Sequence, residues 1–167
     1  ILDAAGGGKY FLNLAFALVG KMRGGPAKAA ILASGLTGMI SGSSVANTVT
    51  TGTFTIPIMK KTGLPAVKAG AVEVAASVNG QIMPPIMGAA AFVMAELLGI
   101  PYLTVVTHAF LPAVISYIAL FYISHLEALK LDIKGLPEKD IPPLKETFLS
   151  GIHYLIPIGV LIYLLLV

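Results

Sequence analysis

The sequence predicts an all-α integral membrane fold: a re-entrant helical hairpin followed by a discontinuous transmembrane helix. Three observations carry this. Of the 167 residues, 56% are hydrophobic and only 11% charged, with a mean hydropathy of +0.89; a soluble domain has about 25% charged residues. Four long stretches, Ala29–Met59, Val74–Ala95, Leu97–Leu126 and Thr147–Val167, contain no Asp, Glu, Lys or Arg. Two of the apolar elements are interrupted near their middles by helix-breaking residues.

The composition also excludes much. Zero cysteines remove disulfides and thiolate metal sites. A net charge of +3 from few residues is no nucleic-acid footprint. Gly6-Gly7-Gly8-Lys9 lacks the spacing and the Ser/Thr of a phosphate loop.

In order, the elements read as an arm over 1–28, the hairpin over 29–63, the discontinuous helix over 64–99 and a transmembrane helix over 100–127. A cytoplasmic linker over 128–147 and the start of a further transmembrane helix over 148–167 complete the chain. The chain begins with Ile1 rather than Met and stops inside an apolar run, so both ends are expected to be cut from a larger membrane protein. Within the arm, Tyr10–Gly20 is too short to cross a bilayer, which needs about 20 apolar residues. It reads as a cut or interfacial helix.

Ala29–Met59 is too long for one crossing. As a single helix it would run about 46 Å against a hydrocarbon core of about 30 Å. Its middle, Thr37-Gly38-Met39-Ile40-Ser41-Gly42-Ser43-Ser44-Val45-Ala46-Asn47-Thr48, is rich in poor helix formers that cap well. Two half-helices meeting at a polar tip satisfy both facts. The charges agree. Lys21, Arg23 and Lys28 precede the stretch, and Lys60, Lys61 and Lys68 come after it. A single crossing would put basic clusters on both sides, against the positive-inside rule. A hairpin puts both in the cytoplasm, together with Lys130, Lys134, Lys139 and Lys145 of the linker.

The element over 64–99 is broken around Ser77-Val78-Asn79-Gly80-Gln81-Ile82-Met83-Pro84-Pro85. Proline lacks an N–H and displaces the carbonyl four residues back, so Pro84 and Pro85 are expected to free the carbonyls of Gly80 and Gln81. Irregular backbone at membrane depth survives only when packed in protein or lining a polar cavity. Paired broken helices near the midplane are the mark of a secondary transporter. Freed carbonyls and the oxygens of Ser, Thr and Asn suit a hard cation such as Na⁺, and helix N-termini suit an anionic substrate group. No acidic residue stands at either break, which disfavours a divalent metal.

At these residues the chain resembles a known family. Arg23-Gly24-Gly25-Pro26-Ala27-Lys28, then Ile40-Ser41-Gly42-Ser43-Ser44-Val45-Ala46, then Phe54-Thr55-Ile56-Pro57-Ile58-Met59-Lys60-Lys61-Thr62-Gly63 and the Pro-Pro break resemble the large membrane subunit of tripartite ATP-independent periplasmic (TRAP) transporters. Gly80 to Phe92 looks like the branch in which small and large subunits are fused. The resemblance implies an elevator-type permease for Na⁺-coupled uptake of organic anions, dicarboxylates or related acids, in a bacterial or archaeal inner membrane. A periplasmic solute-binding protein would deliver the substrate, and a small membrane subunit would complete the permease. No cofactor is implied beyond Na⁺ as the coupling ion. By matching motifs, Ser41, Gly42, Ser43, Ser44 and Asn47 line the hairpin tip, and Ser77, Asn79, Gly80, Gln81, Pro84 and Pro85 line the broken helix. Na⁺ falls to Ser43, Ser44, Asn79 and Gly80.

Plainer readings stand beside these. Gly38 and Gly42 form a small-xxx-small pair, which serves close helix packing without any ligand. Asn79 and Gln81 serve equally as interhelical hydrogen-bond partners. Glu73, about two turns into its helix, either couples an ion or faces cytoplasmic water beside Lys68. Glu96 reads as a solvated end. Thr48, Thr50, Thr51, Thr53 and Thr55 read mostly as hydroxyls satisfying their own helix. His108, His125 and His153 have no ligand spacing, and Pro112 and Pro157 read as kinks. The rival functions are an intramembrane serine hydrolase using Ser43 with His108, and a purely structural membrane subunit.

Overall fold

The computed structural model describes residues 6–166; the first five residues of the arm and Val167 lie outside the described residues. Among the described residues the chain is helical, with no strand.

Helix α1 spans Gly7–Val19. Helix α2, Gly25–Ser41, comes after Gly24, which takes the left-handed conformation at φ 67°, and carries Pro26 in its first turn, where a missing N–H costs nothing. α2 ends at Gly42, again left-handed at φ 66°, whose N–H donates to the Gly38 carbonyl. The next residue, Ser43, is extended, and its Oγ accepts the Ala46 N–H at 3.3 Å as the cap of α3, Ser44–Lys61. A glycine that ends one helix beside a serine that starts the next turns the chain back, and α2 and α3 pack against each other. The hairpin is therefore present as a shape.

Helix α4 spans Ala66–Gln81 and α5 spans Gly88–Leu98. The break lies later than expected. Ser77, Asn79 and Gly80 stay helical, and the irregular segment runs over 82–87, because Pro84 and Pro85 exclude the helix only beyond Gln81. The Gly80 carbonyl is not freed either. It accepts the Met83 N–H at 3.1 Å as the last turn tightens.

Helix α6, Tyr102–Lys130, runs unbroken through Pro112. It is the one described helix long and apolar enough by itself to cross a membrane. A linker containing a 3-10 turn at Glu138–Asp140 leads to α7, Leu144–Ser150, and α8, Ile152–Leu166. The linker is clipped to the bundle rather than simply solvated. Leu136 N–H donates to the Gly20 carbonyl at 2.9 Å, and Ile133 is buried with Ala30, Met59 and Ala128. The segment running through α7 into α8 bends by 57°.

α2 is the centre, packed on α1, α3 and α4. Its small buried residues, Ala29, Ala30, Ala33 and Ser34, let the neighbours approach. α5 and α6 share a smaller core of Met87, Ala91, Val105 and Val106. Large apolar side chains such as Leu97, Leu98, Phe110, Leu111 and Ile115 point outward. A soluble surface disperses such groups, whereas lipid or neighbouring helices accept them.

Candidate functional site

A helix leaves its last carbonyls and first amides without partners in the helix itself, and these ends carry roughly −0.5 and +0.5 charge. Four such ends meet in this chain: the C-termini of α2 and α4 and the N-termini of α3 and α5. Glycines permit the meeting. A Cβ on Gly38 would stand 3.1 Å from Gly80 Cα, and one on Gly42 would stand 2.8 Å from Gly88 Cα. Backbone touches backbone at both levels. Gln81 joins the two breaks directly, its Oε1 accepting the Ser44 N–H at 3.1 Å. Ser41, Gly42, Ser43, Ser44, Gly80 and Gln81 gather at this junction. Of these Gly80 is buried, and the hairpin-tip serines keep some exposure.

Pro84 and Pro85 form the crossing between α4 and α5, joined by a cis peptide bond. The Tyr102 hydroxyl holds the crossing in place, lying 2.9 Å from the Pro85 carbonyl and 2.6 Å from that of Ile86. Beside it lies a cavity of about 450 Å³ walled by Leu36, Met39, Met83, Val114 and Tyr117 among others. That wall is apolar apart from the Tyr117 hydroxyl, which is buried without a hydrogen-bond partner among the described residues.

Three of the expected site residues point elsewhere. Asn79 turns toward α6, where its Oδ1 accepts the Ser116 hydroxyl at 2.9 Å. Asn47 and Ser77 belong to a second polar cluster, buried where α2, α3 and α4 meet. At its centre is Glu73, with no exposed surface. Ser34 Oγ donates to Glu73 Oε1 at 2.9 Å, Thr51 Oγ1 also donates to Oε1, and Thr55 Oγ1 donates to Oε2 at 2.5 Å. Ser77 Oγ stands 3.4 Å from Oε1 and 3.0 Å from Ser34 Oγ. Asn47 closes the cluster: its Nδ2 lies 2.9 Å from the Ser34 carbonyl, 2.8 Å from Ser34 Oγ and 3.0 Å from Ser77 Oγ. Its Oδ1 is buried without a protein partner.

Glu73 therefore does not face cytoplasmic water beside Lys68, which pairs with Glu127 instead. The threonines of α3 do satisfy their own backbone, as expected: Thr51 reaches the Asn47 carbonyl at 2.7 Å and Thr55 the Thr51 carbonyl at 3.0 Å. Their second role, gripping a carboxyl from another helix, was missed, and so was Ser34. The one signal available was the i, i+4 spacing of Thr51 and Thr55, which stacks two hydroxyls on one helix face.

The other end of the bundle is basic. Lys21 pairs with Glu138 and Arg23 with Asp132, each at 2.6 Å. Lys28 Nζ lies 3.1 Å from His125 Nδ1, which accepts as the unprotonated nitrogen. The Lys21 hydrogen bond, and then its charge, hold the Glu138 carboxyl below the usual carboxylate range. Ser43 and His108 make no pair. Ser43 caps α3, and His108 Nδ1 lies 2.7 Å from the Thr104 carbonyl.

Comparison with known proteins agrees. The family described as "Tripartite ATP-independent periplasmic transporter, DctM component" matches residues 1–167. The uncharacterized protein YgiK of Salmonella typhimurium is 38% identical over 85 residues, which is 51% of this chain and 20% of that protein. A candidate TRAP transporter large permease protein of Haemophilus influenzae is 34% identical over 85 residues, 51% of this chain and 20% of that protein. The uncharacterized protein y4mL of Sinorhizobium fredii is 35% identical over 78 residues, 47% of this chain and 19% of that protein. The matched part thus spans about a fifth of the length of these relatives. With its whole length matched, the chain belongs to the DctM component family of the tripartite ATP-independent periplasmic transporters, a family of membrane permeases and not of enzymes.

Proposed function

We propose that this chain forms the first hairpin and broken helix of a permease that takes up organic anions, dicarboxylates or related acids, on a Na⁺ gradient. The observation that carries the reading is the convergence of four helix ends, fastened by Gly38 on Gly80, Gly42 on Gly88 and Ser44 on Gln81. The N-termini of α3 and α5 offer amides and positive dipole ends to a substrate carboxylate. The C-termini of α2 and α4, with the hydroxyls of Ser43 and Ser44 and backbone oxygens near Gly80, offer hard oxygen donors to Na⁺. Asn79, held by Ser116, steadies α4 against α6 in this reading.

The hairpin is re-entrant. Helices of 17 and 18 residues rise about 25 Å each, so a hairpin rooted at its basic end places its tip past the middle of the bilayer. An elevator motion of the hairpin and broken helix together would then carry the site across. A periplasmic solute-binding protein delivers the substrate, a small membrane subunit, fused or separate, supports the moving part, and the assembly sits in the inner membrane.

The test is uptake of a labelled dicarboxylate by the full-length permease in proteoliposomes, with its binding protein outside. Uptake is expected to collapse when choline replaces Na⁺, and Ser44→Leu is expected to abolish it while the protein still inserts. Equal uptake in choline removes the Na⁺ coupling. Wild-type uptake by Ser44→Leu removes the site.

A further inference from the structure

The junction of helix ends makes no use of Glu73, a carboxyl group with no exposed surface, some two helical turns below it. A buried carboxyl must be either neutral or fully served by donors. Glu73 receives Ser34 and Thr51 at Oε1 and Thr55 at Oε2. Each threonine hydroxyl has one proton and two acceptors within reach, namely the carboxyl and the carbonyl four residues back: Asn47 for Thr51, at 2.7 Å, and Thr51 for Thr55, at 3.0 Å.

That choice gives the carboxyl two bonding patterns. With Glu73 ionised, the hydroxyls of Ser34, Thr51 and Thr55 all turn to it. With Glu73 protonated, its own O–H at Oε2 donates to Thr55 Oγ1, and Thr55 turns its proton to the Thr51 carbonyl. Oε1 keeps Ser34 and Thr51 in both. Only hydroxyl rotors move; no heavy atom needs to.

Among the described residues no ion pair neutralises the carboxyl directly, and on α1 the cation that faces the cluster is Lys9, which shares a cavity wall with Thr51 and Thr55. From α2, Lys28 is engaged by His125; from α3, Lys60 and Lys61 stand in the last turn; on α4 itself, Lys68 pairs with Glu127 of α6; Tyr117 of α6 lies against Gly35. There is also a route for the proton. A cavity of about 230 Å³ is lined by Gly8, Lys9, Leu12, Thr50, Thr51 and Thr55, so two of the three hydroxyls that grip the carboxyl form its wall. A proton passing between that cavity and Oε2 would go by way of the Thr55 hydroxyl, which stands at both.

We propose that Glu73 is a proton-binding site, distinct from the junction of helix ends, whose occupancy reverses the direction of the Thr55 hydrogen bond between α3 and α4. It stands on different atoms from the Na⁺ reading and does not depend on it.

The experiment is infrared difference spectroscopy of the purified full-length permease in lipid, acid minus neutral, with no substrate present. The expected spectrum has the carbonyl band of a protonated carboxylic acid, absent in Glu73→Gln and kept in Glu96→Gln, since Glu96 is not buried. Gln imitates the protonated acid, its amide facing Thr55, so this variant should fold. Thr55→Val, which deletes one rotor, is expected to move the pH at which the band appears by about one unit or more, a tenfold change in proton affinity. A band unchanged in Glu73→Gln, an unmoved titration in Thr55→Val, or a band removed by adding Na⁺ at constant pH would overturn the proposal. Because the readout needs no uptake, its failure is separate from failure of the transport reading.

Discussion

Asn47 shows what a single side chain does in this interior. One amide group reaches the Ser34 carbonyl, Ser34 Oγ and Ser77 Oγ, and so links α3 to both α2 and α4. Asn47→Ala leaves those acceptors short of a buried donor, a loss of about 1–3 kcal/mol. It is expected to lower the thermal unfolding midpoint of the detergent-solubilised permease. Asn47→Asp is expected to lower it further, by setting a second acid into Glu73's cluster. An unchanged midpoint in both variants would mean the amide network carries no stability. This cluster was barely legible in the sequence. Ser34, Thr51, Thr55 and Glu73 come from three helices, and which faces of those helices meet is decided by tertiary packing. Small and apolar residues surround each helix, so periodicity marks no face. The hydroxyls of Thr51 and Thr55 had a sufficient local explanation in their own backbone, and it hid their second partner.

The elements were more legible, because their ends are written in local chemistry. Gly42 beside Ser43 is a stop and a start, and Pro84-Pro85 is a stop. The exact end of α4 was not legible. Ser77 to Gln81 look like loop residues yet remain helical, since tertiary contacts at Gly38 and Ser116 outweigh their weak propensity. α4 offers an internal comparison. A Cβ on Gly80 would meet Gly38 Cα at 2.9 Å, whereas one on Gly70 meets nothing within 4 Å. Gly80→Ala is expected to wedge α4 from α2, lowering both thermal stability and uptake. Gly70→Ala is expected to be neutral or stabilising by up to about 1 kcal/mol through helix propensity. Equal effects in the two variants would contradict the close approach.

The linker is a second element-scale case. Lys21 holds Glu138 below its ordinary value of 4.5. A depressed carboxyl contributes its stabilisation above that value and loses it as the pH falls through the lowered one. The linker's attachment should therefore loosen in acid below 4.5 and in high salt, because both groups are exposed. Limited proteolysis of the linker by an acid protease should accelerate there in the wild type. Lys21→Gln should be cut readily with no such onset.

At the scale of the whole molecule, the two ends of the bundle differ in kind. One gathers Lys21, Arg23, Lys28 and Lys68 with their acidic and histidine partners; the other gathers four helix ends and uncharged polar groups. The sorting by charge was readable from the spacing of lysines along the chain. The charge pattern left open the contact between the two breaks, which needed the glycine-on-glycine packing of α2 with α4 and α5. The proposed transport site depends on the chain turning back at Gly42-Ser43, which in that reading makes α2 and α3 begin and end on one side of the membrane. Since the chain has no cysteine, single cysteines report sidedness cleanly in a full-length permease freed of any others. Lys21→Cys and Lys61→Cys, probed in right-side-out and inverted vesicles with a membrane-impermeant maleimide, are predicted to label together in the inverted vesicles, and Gly99→Cys to label in the right-side-out ones. Labelling of Lys21→Cys and Lys61→Cys from opposite sides would contradict the hairpin.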